Sequence, residues 1–185
     1  EPRFPNKSQV AQTYSASDVV LDKRSNKRSA PPKLLDLASL AAMMSPQGYN
    51  AAGVLKTYQQ MYEATIVSYP RTEDKVITPE QYKEMLPLVD KIAALVGVDS
   101  SLLTVRIPRS THVRNGAAHG ANRPGLTVPA SLQAVESQFG KAGVVIYTLL
   151  AKSFLAMMAE DYVYERQEGH VRDYAAFVGS VNVPK

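Results

Sequence analysis

Cysteine is absent from the 185 residues of this chain. Without thiols the protein cannot form disulfide bonds or thiolate metal sites, so disulfide-stapled folds and cysteine-ligated zinc modules are excluded. The absence fits a reducing compartment, and we expect a cytoplasmic protein. No apolar stretch reaches the length that a membrane span needs, and the start of the chain lacks the apolar segment of a signal peptide. The sequence therefore predicts no membrane partner.

Acidic residues are missing from one long internal stretch, Leu102 to Ala134. That stretch contains four arginines and two histidines, namely Arg106, Arg109, Arg114, Arg123, His112 and His119. The net charge of the chain is only +4, so this local imbalance says more than the total. Because cations without nearby acids attract polyanions, the stretch indicates phosphate or nucleic acid binding. A second basic run, from Lys23 to Arg28, is interpreted as solvated surface.

The two ends of the chain differ in pattern from its centre. Residues 1–13 are polar with two prolines and are predicted to be a tail or linker. Val19-Val20-Leu21 predicts a short strand, followed by SNKRS as a polar turn. From Tyr162 onward we expect a strand and then an irregular extended tail. These end pieces could pair with each other, or they could belong to a neighbouring domain.

The centre of the chain has helical spacing. Helices are predicted from Leu34, after a cap at Asn50, after a cap at Thr78, and near Gly140 to Ala159 as the centre of the core. In the second helix an apolar packing face is predicted from Val54, Leu55, Tyr58, Met61 and Tyr62. Residues 108–129 are predicted to be irregular, and irregular stretches of that length are usually functional or disordered.

The segment IVSYPRTE, residues 66–73, raises a question about chemistry. A proline favours extended geometry in the residue before it, so Tyr69 should end an extended run. A phenol is a poor nucleophile at neutral pH unless its anion is stabilised. Arg71 can stabilise that anion and can hold a phosphate with two donors. The segment therefore predicts either a phosphoryl-transfer site or an ordinary surface turn.

The segment AAHGANRPG, residues 117–125, offers a partner for that phenol. His119 can donate a hydrogen bond to a phosphate oxygen or to a leaving hydroxyl, and Arg123 adds positive charge. Gly116, Gly120 and Gly125 allow the backbone to approach a ligand closely. The competing interpretation is a mobile loop whose His and Arg side chains face water. Residue chemistry alone leaves both interpretations open.

Both segments resemble signatures of one enzyme family, the type IA DNA topoisomerases. SYPRTE is similar to the active-site motif Thr-Tyr-Pro-Arg-Thr-Asp, and AHGANRPG resembles the downstream motif Ala-His-x-Ala-Ile-Arg-Pro-Thr. The preceding PPKLLDL and GYNAAGVLKTYQQMYE are similar to the two helices that lead to the tyrosine in this family. The resemblance covers about Ser25 to Glu165 and points to a topoisomerase III-like member.

The resemblance implies a role for each matched residue. Tyr69 would be the nucleophile that becomes linked to a 5′-phosphate of one DNA strand. Arg71 would hold the scissile phosphate, and His119 would hydrogen-bond to that phosphate or to the departing 3′-oxygen. DNA contacts are also expected for Thr72 and Arg123 in the matched motifs, with ordering of the loop as a further possibility for Arg123. The acid-free basic stretch, rather than the resemblance, predicts DNA contacts for Arg109 and Arg114.

Four positions depart from the family pattern. They are Ser68 for the usual Thr, Glu73 for Asp, Asn122 for an apolar residue and Gly125 for Thr. The tyrosine, arginine and histidine are intact, so the departures concern fine positioning rather than the reaction.

The family's acidic magnesium motif, Asp-x-Asp-x-Glu, does not occur in this sequence. In the family it belongs to a separate N-terminal domain, together with a lysine thought to act as an acid. The resemblance therefore implies magnesium in the parent enzyme, no cofactor in this chain, and two partners: single-stranded DNA and the magnesium-binding domain of the same parent. The implied fold is mainly α. A helical tyrosine-bearing domain at 34–159 would lie between short β segments of a hinge domain at 14–33 and 160–185.

We expect a fragment of an enzyme that cleaves and rejoins one DNA strand without ATP, for relaxation or decatenation. The isolated chain should bind single-stranded DNA and be inactive. A helical DNA-binding module without chemistry is the alternative, because the charge pattern supports it equally. A tyrosine recombinase also uses Arg, His and Tyr, but its tyrosine normally follows the other two, whereas Tyr69 precedes them. A purely structural domain would leave the acid-free stretch unexplained.

Overall fold

The computed structural model describes residue 8 and residues 10–185, which form two compact units. The sheet unit consists of the described residues up to Ala30 together with Asp161–Lys185. The helical unit is the continuous segment Pro31–Glu160. The predicted tail at residues 1–13 lies largely outside the described residues.

The sheet unit contains a three-stranded antiparallel sheet in the order β1-β2-β3. Its strands are β1 (Val19–Ser29), β2 (Tyr162–Val171) and β3 (Tyr174–Pro184). The register of β1 against β2 shifts between Leu21 and Lys23, as in a β-bulge. The sequence left open whether the two end segments pair with each other, and the structure shows that they do.

Two expectations for the sheet unit were wrong. The predicted turn SNKRS lies inside β1, where Asn26 is opposite Glu165. The predicted irregular tail is strand β3, whose valines at 178, 181 and 183 are exposed. Both strands lack a regular apolar alternation, and it is their pairing with β2 that makes them extended.

Helices α1 (Leu37–Met44) and α2 (Ala51–Glu63) precede the SYPRTE segment. The carboxylate of Asp36 accepts a hydrogen bond from the Ser39 N–H at 2.7 Å and caps α1. The side chain of Asn50 accepts from a first-turn N–H of α2 at 2.8 Å. These contacts satisfy N–H groups that a helix leaves unpaired at its start, and the cap predicted at Asn50 is confirmed.

The apolar face of α2 enters the core only in part. Val54, Tyr58 and Met61 are buried. The Tyr62 side chain in the last turn is 38% exposed, so its assignment to the packing face was wrong. Its ring instead lies against the ring of Tyr69, with centroids 5.6 Å apart.

Helices α3 (Pro79–Met85) and α4 (Val89–Leu95) follow the SYPRTE segment. Gln81 N–H donates to the Thr78 hydroxyl at 3.3 Å, and Thr78 N–H donates to the Gln81 side-chain oxygen at 3.1 Å. This reciprocal capping box confirms the predicted helix start at Thr78. A short 3-10 turn at Leu86–Leu88 connects the two helices.

Helix α5 (Leu132–Ala156) forms the centre of the helical unit. Its largest fully buried side chains are Ile146, Tyr147, Leu150 and Phe154. The helix begins before the predicted start at Gly140. The apolar pattern behind that prediction starts only after Gly140, where a φ of 69° kinks the helix. By length and composition α5 meets the criteria of a membrane span, contrary to the expectation that no apolar stretch is long enough. Its buried face identifies it as the core helix of this unit.

The stretch before α5 is ordered without regular secondary structure, which confirms its predicted irregularity. Isolated bridges join it to earlier parts of the chain at Leu35–Asn122, Val67–Pro124 and Ile77–Val113. His112 is buried, and its ring nitrogens lie 2.8 Å from the Thr111 hydroxyl and 2.8 Å from the Pro32 carbonyl. Long-range contacts therefore hold this stretch in place.

The expectation of a mainly α fold is confirmed in part. The segment Pro31–Glu160 contains the helices, and the ends of the described chain form an antiparallel sheet. That the sheet unit belongs to a hinge domain stays a prediction.

Candidate active site

Tyr69 lies on an extended segment that leaves α2 and pairs with the AHGANRPG segment. Val67 forms an antiparallel bridge with Pro124. The Ser68 N–H donates to the Arg123 carbonyl at 3.0 Å, and the Arg123 N–H donates to the Ser68 hydroxyl at 3.1 Å. The predicted extended geometry is confirmed, and the two motifs are joined through their main chains.

The Tyr69 side chain is 36% exposed and lies between two other rings. Its centroid is 4.9 Å from that of the His119 imidazole, with the planes tilted by 48°. The Tyr62 ring contacts the Tyr69 ring edge-on, with an angle of 78° between the two ring planes. A phenol and an imidazole from the two motifs thus meet at a solvent-accessible position. The catalytic roles of both residues stay predictions.

The main chain of His119 is held by an acid that sequence reasoning did not single out. One carboxylate oxygen of Asp74 accepts hydrogen bonds from the N–H groups of His119 at 3.0 Å and Gly120 at 2.9 Å. The Gln81 side chain donates to the His119 carbonyl at 3.0 Å. The hydrogen bond from the His119 N–H, together with its neighbours, lowers the pKa of Asp74. His119 therefore projects from a backbone that is fixed at both of its peptide groups.

Replacing Asp74 by alanine is expected to loosen His119 without unfolding the unit. Because the folded-state pKa of Asp74 is lowered, its hydrogen bonds stabilise the fold above about pH 4 and are lost as the pH falls through that lowered pKa. We expect the substitution to lower the unfolding free energy by about 1 kcal/mol at pH 7. This is less than the loss of a hydrogen-bonded charge in a buried site would cost, because solvent reaches Asp74. The loss should shrink at pH 3.

Thermal unfolding of the unmodified protein and of Asp74→Ala, each at pH 7 and pH 3, measures this effect. Asp90→Ala is the matched control, since it removes an exposed acid whose ion pair with Arg106 lies outside the site. A stability difference for Asp74→Ala that is the same at both pH values would contradict the assignment.

Arg71 does not join the ring contact between Tyr69 and His119. Its exposed side chain lines a cavity of about 520 Å³ together with Asp36 and residues of the first turns of α1 and α2. The neighbouring Thr72 is buried, and its hydroxyl accepts from the Asp74 N–H at 3.0 Å. The structure thus brings two of the three predicted catalytic side chains together. The third, Arg71, lines a different cavity. As an exposed side chain it can change rotamer on the nanosecond timescale.

Arg123 is half-buried, and its main chain pairs with Ser68 of the SYPRTE segment. One guanidinium nitrogen donates to the Ala121 carbonyl at 3.2 Å, while Nε is buried without a hydrogen-bond partner. Burial lowers the pKa of this guanidinium, and burial raises the pKa of the nearby Tyr58 phenol. Of the two roles considered for Arg123, this placement favours ordering of the loop.

The other arginines of the acid-free stretch do not share one exposed surface. Arg109 donates to two main-chain carbonyls that follow α5, at 3.0 and 2.6 Å. Arg106 forms an ion pair with Asp90 at 2.7 Å. Arg114 is exposed. The geometry of Arg109 favours a capping role at the end of α5, whereas Arg114 is available to a ligand. DNA contacts by either residue stay predictions.

Three polar residues at the site escaped sequence reasoning or were misjudged by it. Asp74 and Gln81 gave no signal beyond their proximity to the motif. Asn122 was noticed only as a departure from the family pattern, although a polar residue at an apolar position was a usable signal. A second departure, Gly125, has a steric cause: a Cβ there would collide with the carbonyl oxygen of Thr65.

Among the described residues, no group of three or more His, Asp or Glu side chains could hold a metal ion. Asp74, the acid that contacts the His119 segment, uses its carboxylate on main-chain N–H groups. The residues present therefore do not fit the magnesium site that the resemblance implies for the parent enzyme.

Three comparisons bear on identity. A sequence model described as DNA topoisomerase matches residues 3–179. DNA topoisomerase 1 of Helicobacter pylori is 24% identical over 164 residues, which is 84% of this chain and 22% of that protein. Full-length topoisomerase I from Thermotoga maritima shares the fold, with a TM-score of 0.62 and 19% identity over 100% of this chain and 31% of that one. The chain thus spans less than a third of the relatives' length.

Both relatives carry the name topoisomerase I, so the expectation of a topoisomerase III-like member stays a prediction. The family match includes both motifs and most of the described residues of both units. In agreement with its resemblance to type IA enzymes, this chain belongs to the DNA topoisomerase family.

Proposed function

We propose that this chain is the tyrosine-bearing part of a type IA topoisomerase that cleaves and rejoins one DNA strand without ATP. The observation that carries the proposal is the 4.9 Å contact between the rings of Tyr69 and His119. These residues belong to different family motifs, and separate main-chain contacts hold each of them in place. A nucleophile and a hydrogen-bond donor beside one exposed position are what a phosphodiester cleavage site needs.

In the proposed reaction the Tyr69 oxygen attacks the phosphorus of a DNA phosphodiester. A phosphorus–tyrosine oxygen bond forms while the bond to the 3′-oxygen breaks, so the 5′-phosphate stays on Tyr69. The phenol loses its proton, and the departing 3′-oxygen gains one and leaves as a hydroxyl. His119 can donate a hydrogen bond to a phosphate oxygen or to that departing oxygen. Attack by the 3′-hydroxyl reverses each step and restores the strand, because one ester has only been exchanged for another.

The arginines would divide between two tasks. Arg71 and Arg114 are exposed and can contact DNA phosphates, with Arg71 holding the scissile one. Arg109 and Arg123 are engaged with main-chain carbonyls and would support the surrounding loop. Thr72 would shape the turn after the nucleophile through its contact with Asp74.

The activity of the whole enzyme lies beyond this chain, which spans 22% and 31% of the two relatives. We propose that a separate N-terminal domain supplies magnesium and faces the Tyr69 surface, and that the sheet unit is part of a hinge domain. Relaxation or decatenation of DNA in the cytoplasm would be the outcome. The isolated chain should bind single-stranded DNA and show no turnover.

Trapping the covalent complex tests the proposed reaction. The full-length enzyme is mixed with a single-stranded oligonucleotide that is labelled at its 3′ end, denatured, and digested with protease. We expect the label on the peptide that contains Tyr69, because the enzyme keeps the 5′-phosphate of the downstream fragment. A 5′-end label should be released instead. Label on another peptide, or retention of the 5′-end label, would refute the assignment.

The affinity of the isolated chain for single-stranded DNA is expected to depend strongly on salt. Each neutralised phosphate releases counterions, with a slope of roughly −0.7 per contact in a plot of log affinity against log salt concentration. For two to three contacts, affinity should fall about tenfold between 50 and 200 mM salt. Fluorescence anisotropy measures this, and Arg71→Ala should reduce the slope by about 0.7. An affinity that does not change with salt would contradict phosphate binding.

A further inference from the structure

We propose that Asn122 is a positioning residue for Tyr69, an inference that rests on the proposed function. The Asn122 side chain has no exposed surface. With its amide nitrogen facing the Tyr69 carbonyl and its oxygen facing the Leu37 N–H, it donates to the former at 3.2 Å and accepts from the latter at 3.2 Å. The opposite orientation offers only a 3.5 Å contact with the Pro70 carbonyl. It therefore joins the nucleophile's own peptide group to the start of helix α1.

The main chain of Asn122 is itself fixed. Its N–H donates to the Leu35 carbonyl at 2.8 Å, and the two residues form an antiparallel bridge. Residues of the second motif, of the α1 lead-in and of the first motif thus meet at one buried amide. A side chain anchored in this way has little freedom to adjust if the Tyr69 carbonyl moves.

The two groups that Asn122 contacts both need a partner. The Leu37 N–H belongs to the first residue of α1, where no carbonyl of the helix can reach it. The Asp36 cap serves the Ser39 N–H and not this one. An apolar side chain at 122, as in the family pattern, would leave the Leu37 N–H and the Tyr69 carbonyl without these bonds. In this protein the amide of Asn122 therefore supplies hydrogen bonds that an apolar side chain could not.

Asn122 completes the restraint on the Tyr69 backbone. On the N-terminal side, Ser68 is held by its two hydrogen bonds with Arg123. On the C-terminal side the Tyr69 carbonyl is held by Asn122, and Pro70 has a fixed φ. The phenol then keeps only the freedom of its own side-chain torsions. Since a displacement of about 1 Å at a reacting group can cost about 100-fold in rate, this restraint bears on the chemical step.

Two substitutions in the full-length enzyme test the role. Asn122→Leu removes both hydrogen bonds at similar volume. Asn122→Asp keeps both while its carboxyl is protonated, because a neutral carboxyl has one donor and one acceptor, and it loses the donor when it ionises. Burial should raise the pKa of the introduced carboxyl. Asn115→Leu, at an exposed position of the same stretch, is the matched control.

The readout is the single-turnover rate of adduct formation per folded molecule at saturating oligonucleotide, from pH 6 to pH 9. We expect Asn122→Leu to be 10- to 100-fold slower than the unmodified enzyme, with DNA affinity changed less than threefold. For Asn122→Asp, the rate relative to the unmodified enzyme should fall as the pH rises. Asn115→Leu should match the unmodified enzyme throughout.

Two results would overturn the proposal. One is a rate for Asn122→Leu within twofold of the unmodified enzyme. The other is a rate for Asn122→Asp that stays within twofold of the unmodified enzyme at every pH, and this measurement decides the matter if the leucine variant does not fold. Failure of the proposed function itself is a separate outcome, since the unmodified enzyme would then form no adduct at Tyr69.

Discussion

Replacing Tyr69 by phenylalanine in the full-length enzyme is expected to abolish both the covalent adduct and the change in DNA topology. The substitution removes one oxygen atom, and that oxygen is the proposed nucleophile. Without it no phosphotyrosine can form, and we expect a loss on the order of 10⁴-fold or more, below detection in a relaxation assay. Binding of single-stranded DNA should persist, because the ring and the surrounding arginines remain.

Tyr62→Phe provides a matched control for that substitution. Its ring contacts the Tyr69 ring, it is similarly exposed, and it also loses only a hydroxyl. We expect adduct formation in this variant to stay within threefold of the unmodified enzyme. Adduct formation by Tyr69→Phe would show that another residue is the nucleophile. Absence of any adduct from the unmodified enzyme, with DNA binding intact, would instead favour the non-catalytic DNA-binding module.

Replacing His119 by alanine should slow adduct formation by about 100-fold or more while the enzyme still folds. The imidazole contacts the Tyr69 ring, so its removal takes a hydrogen-bond donor from the place where the phosphate would lie. Its main chain is held by Asp74 and Gln81 independently of the ring, and the local structure should therefore survive. Rapid-quench measurement of the adduct at saturating DNA separates this effect from weaker binding.

His170→Ala is the control for loss of an imidazole. This histidine lies in strand β2, where its Nδ1 is 2.8 Å from the Asp22 carboxylate, and it belongs to the sheet unit. We expect its removal to leave the rate of adduct formation unchanged. A rate for His119→Ala equal to that of His170→Ala would exclude a direct role of His119 in the chemical step.

Local signals predicted the parts of the fold that local physics decides. The caps at Asn50 and Thr78 and the extended geometry before Pro70 each depend on a few neighbouring residues, and each was confirmed. Strand β3 and the length of β1 could not be predicted in the same way, because the side chains of these strands do not alternate between apolar and polar. Their extended form depends on pairing with β2, which for β1 lies far along the chain. The first part of α5 was missed because Gly140 interrupts the helical pattern.

The candidate site shows the same division. Motif spacing identified Tyr69 and His119, whose rings do meet. The cavity beside Arg71 and the internal contacts of Arg109 depend on where α1, α2 and the end of α5 lie, which no local pattern encodes. Asp74 and Asn122 act on main-chain groups rather than on side chains, so no chemical motif marks them.

The main-chain pairing of the two motifs has a consequence for exchange between relatives. Ser68 accepts from the Arg123 N–H, and Gly125 passes so close to Thr65 that a side chain would collide with it. Asn122 likewise matches a carbonyl of the other motif. Grafting only one motif from a homologous enzyme would therefore create a mismatched chimera. Natural recombination should conserve activity only when both segments are inherited together.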